Sequence, residues 1–114
     1  MYARRSQVQE TMTQNMLSTP EEINRRLTAL PGWAVREGLL VKTYTVRSFA
    51  HGVLFIGAIG QLSEAADHHP DLRLYGYNNL TVSLSSHSEG GLTAKDFDLA
   101  AQIEALPQKK LKPA

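Results

Sequence analysis

Residues 79–86, NLTVSLSS, alternate without a break: Leu80, Val82 and Leu84 fall on one side, Thr81, Ser83 and Ser85 on the other. Successive side chains of a strand point to opposite faces, so this period describes a strand with one buried face and one polar face. Such a strand needs neighbouring strands for its backbone groups and a cover for its apolar side. The rest of the chain supplies both. Thr19-Pro20-Glu21-Glu22 is a capping-box signature with proline at the first helical position, and Ile23, Leu27 and Leu30 follow at i, i+4, i+7 before Pro31-Gly32 ends the helix. Trp33 to Glu37 and Leu39 to Val46 flank Gly38 as a two-stranded hairpin. Ser48 caps a long second helix reaching about Ala66, with Phe49, Val53, Ile56 and Leu62 as its buried candidates. Gly52, Gly57 and Gly60 lie inside that helix, where each costs about 1 kcal/mol of helix propensity relative to Ala; close packing against a sheet would account for them.

Pro70 stops helical structure at or just before His69, because the residue before proline is pushed out of the α region. A short strand from about Asp71 to Leu74 and a turn at Tyr75-Gly76-Tyr77-Asn78 lead into the alternating strand, Asn79 to Ser86. Gly90-Gly91 turns the chain, Thr93 with Asp96 opens a last helix bearing Phe97, Leu99, Ile103 and Leu106, and Pro107 ends it. The order αββαββα is α+β, a four-stranded antiparallel sheet with helices packed on one face. A chain of 114 residues makes one domain. We expect a flexible N-terminal arm at 1–16, the domain proper at 17–107 and a basic tail at 108–114, with Tyr75 and Tyr77 as packing residues.

Composition excludes several classes of function. A net charge of +1 gives no bulk field for nucleic acid, and the absence of cysteine removes disulfides, thiolate catalysis and cysteine-ligated zinc. The two N-terminal arginines have no apolar run behind them, so the start is not a secretory signal, and the apolar segment Val53 to Ile59 is far short of the ~20 residues a membrane span needs. A soluble, cytoplasmic protein with no direct nucleic-acid or membrane partner is the expectation.

Three of the four histidines, His68, His69 and His87, lie between Glu64 and Asp96, in EAADHHPDLRLYGYNNLTVSLSSHSEGGLTAKD. The tandem pair stands where a helix gives way to a strand, and His87 stands just past another strand. Loops at the ends of rigid elements are where reactive groups are usually held. A single histidine there is more often a cap or a surface residue; three with flanking carboxylates suggest a site. Imidazole suits zinc, iron or copper, but adjacent His-His is awkward for one ion, and helical ligand pairs commonly stand four residues apart. Acid–base work needs only reach to a substrate and a pKa near neutrality, and it is the more economical reading. His51, with no acidic neighbour in sequence, reads as structural or solvent-facing.

Glu64, then Asp67-His68-His69-Pro70, then Tyr77, then His87, then Asp96 closely resembles the signature of the pterin-4a-carbinolamine dehydratases. Ser86-His87 followed by Gly91-Leu92-Thr93 and Asp96, and upstream Leu30-Pro31-Gly32-Trp33, extend the likeness over nearly all of residues 17–106. Leu72 stands where many members carry Trp, and Ser88-Glu89 follows His87 where an acidic residue usually comes first. The resemblance implies the αββαββα fold and dehydration of a 4a-hydroxy-tetrahydropterin to the quinonoid dihydropterin, recycling the cofactor of aromatic amino-acid hydroxylases, one of which is a possible partner. It implies no metal and no cofactor. By position, His68 and His87 become the acid–base pair and His69 holds the substrate. Glu64, Asp67 and Asp96 orient the imidazoles, and Ser85, Ser86 and Ser88 offer hydrogen bonds to the pterin. The same resemblance leaves open a non-enzymatic dimerisation or assembly module, since relatives include a dimerisation partner of a homeodomain transcription factor. Open sheet edges favour a homodimer or homotetramer.

Overall fold

The structure, a computed structural model, describes residues 16–107 of the chain. The expected arm, apart from its last residue, and the basic tail lie outside the described residues. Helix α1 (Pro20–Thr28) starts from a reciprocal cap: the Thr19 hydroxyl accepts from the Glu22 backbone N–H at 3.2 Å and the Glu22 carboxylate accepts from the Thr19 N–H at 3.4 Å. Strands β1 (Ala34–Arg36) and β2 (Leu39–Thr45) follow, joined through Glu37 and Gly38 at φ 52° and 78°. Two successive positive φ angles let the turn follow the twist of its flanking strands. Then come α2 (Phe49–Ala66), β3 (Asp71–Tyr75), β4 (Asn79–Leu84) and α3 (Ala94–Glu104).

The four strands form one antiparallel sheet in the order β1-β2-β4-β3. Its register sets Leu40 against Leu84, Tyr44 against Leu80, Leu72 against Val82 and Leu74 against Leu80, which gathers the apolar side chains on one face. Phe55 and Ile59 of α2 and Phe97, Leu99 and Ile103 of α3 close over that face, and all are buried. The opposite face is polar: Thr43 and Thr81 share a hydrogen bond of 2.8 Å, and the Arg73 guanidinium lies 4.5 Å from the centre of the Tyr75 ring.

The α+β order expected from the sequence is the one found, with shifted details. β4 ends at Leu84, because Ser86 turns inward and bridges Gly91 instead of continuing the ladder. Tyr75 belongs to β3 and not to the turn, and it is partly exposed; Tyr77 is exposed at φ 75°, so neither ring packs in the core. Phe49 and Val53 are exposed as well, while α2 buries Gly52, Phe55, Ile59 and Ser63. This helix is apolar on nearly every side, so its sequence does not mark which face meets the sheet. Gly52 is a close-packing glycine, since a Cβ there would stand 2.7 Å from a Leu74 methyl, but Gly57 and Gly60 meet nothing within 4 Å. His51 acts structurally, its Nδ1 paired with the Ser48 hydroxyl at 3.0 Å. Among the described residues, no helix is long and apolar enough to cross a membrane.

Candidate active site

Three chain segments meet at one end of the sheet: the exit of α2 into β3, the exit of β4, and the start of α3. Asp67 makes the first of these possible. It caps α2 in the left-handed region, φ 49°, and its N–H bonds back to Glu64 and Ser63. The chain thereby leaves the helix axis, and the next two side chains part company. His68 turns in, with 10% of its side chain exposed; His69 turns out, with 56% exposed.

His68 meets Asp96, which has no exposed surface, at 2.6 Å between Nε2 and Oδ1. The other carboxylate oxygen accepts from the Ser86 hydroxyl and from the Thr93 backbone N–H, each at 2.9 Å. Ser86 and Thr93 hydroxyls are themselves 2.9 Å apart. Asp96 is thus both the N3 residue of the α3 capping box and the anchor of an imidazole. A buried carboxylate is tolerated only when such donors replace its hydration. A carboxylate only accepts, so the arrangement puts the imidazole hydrogen on Nε2 and leaves Nδ1 as the acceptor.

His69 has a partner of its own, Glu64, at 2.5 Å between Nε2 and Oε2, but this pair is open to water, with 77% of the Glu64 side chain exposed. His87 begins a short 3₁₀ turn (His87–Glu89) immediately after the buried Ser86, and its ring is exposed. Ser88 donates to the Glu89 carboxylate at 2.6 Å, and Glu89 lies 3.6 Å from the Lys95 ammonium. The Ser88 hydroxyl chiefly, against an opposing effect of desolvation and with the Lys95 charge assisting, holds the Glu89 carboxyl below the usual range. Ser85 is half-buried on the polar side of the sheet end.

Of the residues singled out in the sequence, His68, Asp96 and Ser86 form one hydrogen-bonded network, with His87 and Ser88 adjoining it in the chain. His69 and Glu64 form a separate, exposed pair, and Asp67 shapes the backbone. Among the described residues, no three His, Asp or Glu side chains converge in a metal-binding arrangement. Thr93, expected only as a helix start, also joins this network, and a pocket that the motif does not mark lies beside His68. That pocket has a volume of about 270 Å³ and is lined by Ala66, His68, Lys95, Asp98, Leu99 and Gln102. The signal for it was available: 95, 98, 99 and 102 are i, i+3, i+4 and i+7 on one face of α3.

An α+β fold with a histidine anchored on a buried aspartate is the class that fold and site define. A sequence model described as pterin 4 alpha carbinolamine dehydratase matches residues 16–106, and the chain belongs to that family. A protein of Sulfolobus acidocaldarius named "Putative pterin-4-alpha-carbinolamine dehydratase" is 44% identical over 85 residues, 75% of this chain and 92% of its own length. One of the same name from Roseiflexus castenholzii is 45% identical over 85 residues, 75% of this chain and 90% of the relative. Among solved structures, a transcriptional coactivator/pterin dehydratase from Brucella melitensis superposes with a TM-score of 0.73 at 30% identity, covering 78% of this chain and 96% of that one. A pterin dehydratase-like protein identified as a RuBisCO assembly factor in the alpha-carboxysome gives 0.51 at 23% identity over 64% of this chain and 83% of its own, a likeness of fold alone.

Proposed function

We propose that the chain is a hydro-lyase that converts a 4a-hydroxy-tetrahydropterin to the quinonoid dihydropterin and water, recycling the pterin used by aromatic amino-acid hydroxylases. The reaction is redox-neutral: the C4a–O bond breaks as the oxygen gains a proton, and N5 gives one up. It asks the protein for one proton donor, one acceptor and a fixed substrate. The observation that carries the reading is the His68–Asp96 contact of 2.6 Å beside a pocket of about 270 Å³. An imidazole whose tautomer is set by a buried carboxylate presents one defined nitrogen to a substrate, which is the arrangement proton transfer requires. His87, next to Ser86 in the chain, is the second proton-transfer group. His69 holds the substrate, with Glu64 orienting it, Asp67 setting the turn, and Ser85, Ser86 and Ser88 offering polar contacts. General acid–base catalysis of about 10²–10⁴-fold suits an elimination this easy.

A non-enzymatic assembly module is the alternative reading, and one observation favours a docking surface: Phe49, Val53 and Leu54 of α2 are exposed together, and β3 is an open sheet edge. We assign these surfaces to a second copy of the chain, in a homodimer or homotetramer. Sedimentation should then show an oligomer that Leu54→Glu dissociates; a monomer at all concentrations would contradict it.

The deciding experiment follows enzymatically generated 4a-hydroxy-tetrahydropterin by ultraviolet absorbance. The wild-type protein should accelerate its decay, and a His68→Ala/His87→Ala variant that still folds should not. Absence of acceleration by micromolar wild-type protein would favour the assembly module.

A further inference from the structure

His68 and His87 are held in different ways. His68 has a direct partner, the buried Asp96 carboxylate at 2.6 Å. The exposed His87 ring has no hydrogen bond or ion pair with any described residue, so the turn that carries it sets its place. That turn is firm within itself: the Glu89 N–H bonds to the Ser86 carbonyl and the Gly90 N–H to the His87 carbonyl, each at 3.0 Å. Two backbone bonds between Ser86 and Gly91, of 3.1 and 3.4 Å, close its base. The Ser86 hydroxyl fixes that base to α3 through Asp96. These bonds define the shape of the turn and its root; they leave free the lean of its tip toward α3.

Glu89 supplies the missing restraint. Its two carboxylate oxygens are divided: one accepts from the Ser88 hydroxyl at 2.6 Å, and the other faces the Lys95 ammonium at 3.6 Å. The Ser88 bond stays inside the turn. The Lys95 contact is the one ion pair or side-chain hydrogen bond, among the described residues, that joins residues 87–90 to another element. It is partly sheltered, with 27% of the Lys95 side chain and 20% of the Glu89 side chain exposed. Lys95 does not favour its own helix: it lies in the first turn of α3, where a cation opposes the helix dipole. It is also a wall of the pocket that His68 lines. The tie therefore runs from the turn of one histidine to the pocket wall beside the other.

We propose that Glu89 and Lys95 are positioning residues for His87. Their ion pair holds its turn against the first turn of α3 and so fixes where the imidazole stands relative to His68 and the pocket. The proposal rests on the dehydratase reading for the reaction it serves. Proton transfer needs the imidazole within hydrogen-bond reach of the reacting atom, so kcat follows the fraction of molecules with the turn in place. An ion pair near the surface shifts such an equilibrium by about fivefold at most, and salt weakens it.

The test pairs turnover of a 4a-hydroxy-tetrahydropterin with amide exchange at Gly90, whose N–H bonds to the His87 carbonyl. Glu89→Gln keeps an acceptor for Ser88 and removes only the charge. It should lower kcat by about twofold to fivefold and leave KM unchanged, because Glu89 is not a pocket wall. Lys95→Met should speed Gly90 exchange by a similar factor, although it lies five positions away in the chain. Combining the two changes should add nothing to the larger single effect, and Lys95→Arg should keep both readouts near wild type. Added salt should bring the wild-type kcat down toward that of Glu89→Gln and leave the variant unmoved. Unchanged Gly90 exchange in Lys95→Met, or faster exchange with kcat unaltered, would overturn the positioning role. Absence of turnover by the wild type, with the exchange response intact, would overturn the dehydratase reading and leave the tie between turn and helix standing.

Discussion

Two carboxylates stand at opposite ends of α3, and both are shielded from water by donors from other elements. Glu104, at the C-terminal end, accepts from the Trp33 indole and the Tyr44 phenol at 3.0 Å each and is paired with the Lys42 ammonium. Asp96, in the first turn, accepts from Ser86, Thr93 and His68. The Glu104 cluster is closed by an indole, a phenol and an ammonium. Burial, reinforced by the Glu104 charge, holds the Tyr44 phenol far above its ordinary range. The Asp96 cluster instead ends on an imidazole, whose ring nitrogens can give and take a proton, beside a pocket. Similar chemistry at two ends of one helix thus makes a clamp at one end and a device for moving protons at the other.

The comparison can be tested by breaking each end in turn. Asp96→Asn keeps the shape of the first cluster but removes the charge that orients His68; turnover should fall by about 10²-fold or more, with a smaller loss of stability, about 1–3 kcal/mol. Glu104→Gln should do the reverse. It leaves the Lys42 ammonium without its counter-charge, so urea titration should show a loss of about 2–4 kcal/mol, while turnover per folded molecule stays within twofold. Glu64→Gln breaks the exposed His69 pair, where water screens the interaction; the melting curve should register less than about 1 kcal/mol, and turnover should drop by less than tenfold. Glu89 gives the smallest effect. Its folded pKa is lowered, so its contribution to stability is present above the ordinary carboxylate range and is lost as pH falls through the lowered value. By NMR its carboxyl should titrate below a free glutamate, and Ser88→Ala should move it back further than Lys95→Met does.

What the sequence disclosed and what it hid follow the same physical line. The alternation of Leu80, Val82 and Leu84 carries one bit per residue about burial, and Thr19 and Thr93 announce helix starts by local hydrogen bonds, so sheet and helices were legible. The buried side of α2 was not, because Phe49, Val53, Leu54, Phe55 and Ile59 are all apolar and only the tertiary fold selects among them. At the site, the residue types near His68 could be read, but their pairing could not. That His68 takes Asp96, 28 positions along the chain, while His69 takes Glu64, five positions back, depends on the left-handed cap at Asp67. Nothing local marks an aspartate for that conformation. The pocket face of α3 follows a helical period, 95, 98, 99 and 102, but that period alone does not set Ala66 and His68 opposite it.

The central claim is that Asp96 and Glu104 differ in function because only Asp96 ends on a proton-transfer histidine. The most direct measurement is the catalysed decay of a 4a-hydroxy-tetrahydropterin, recorded side by side for wild type, Asp96→Asn and Glu104→Gln at a temperature where all three are folded. The account predicts loss of catalysis in Asp96→Asn alone, with wild type and Glu104→Gln superimposed. Equal rates for Asp96→Asn and wild type, or equal losses in both variants, would contradict it.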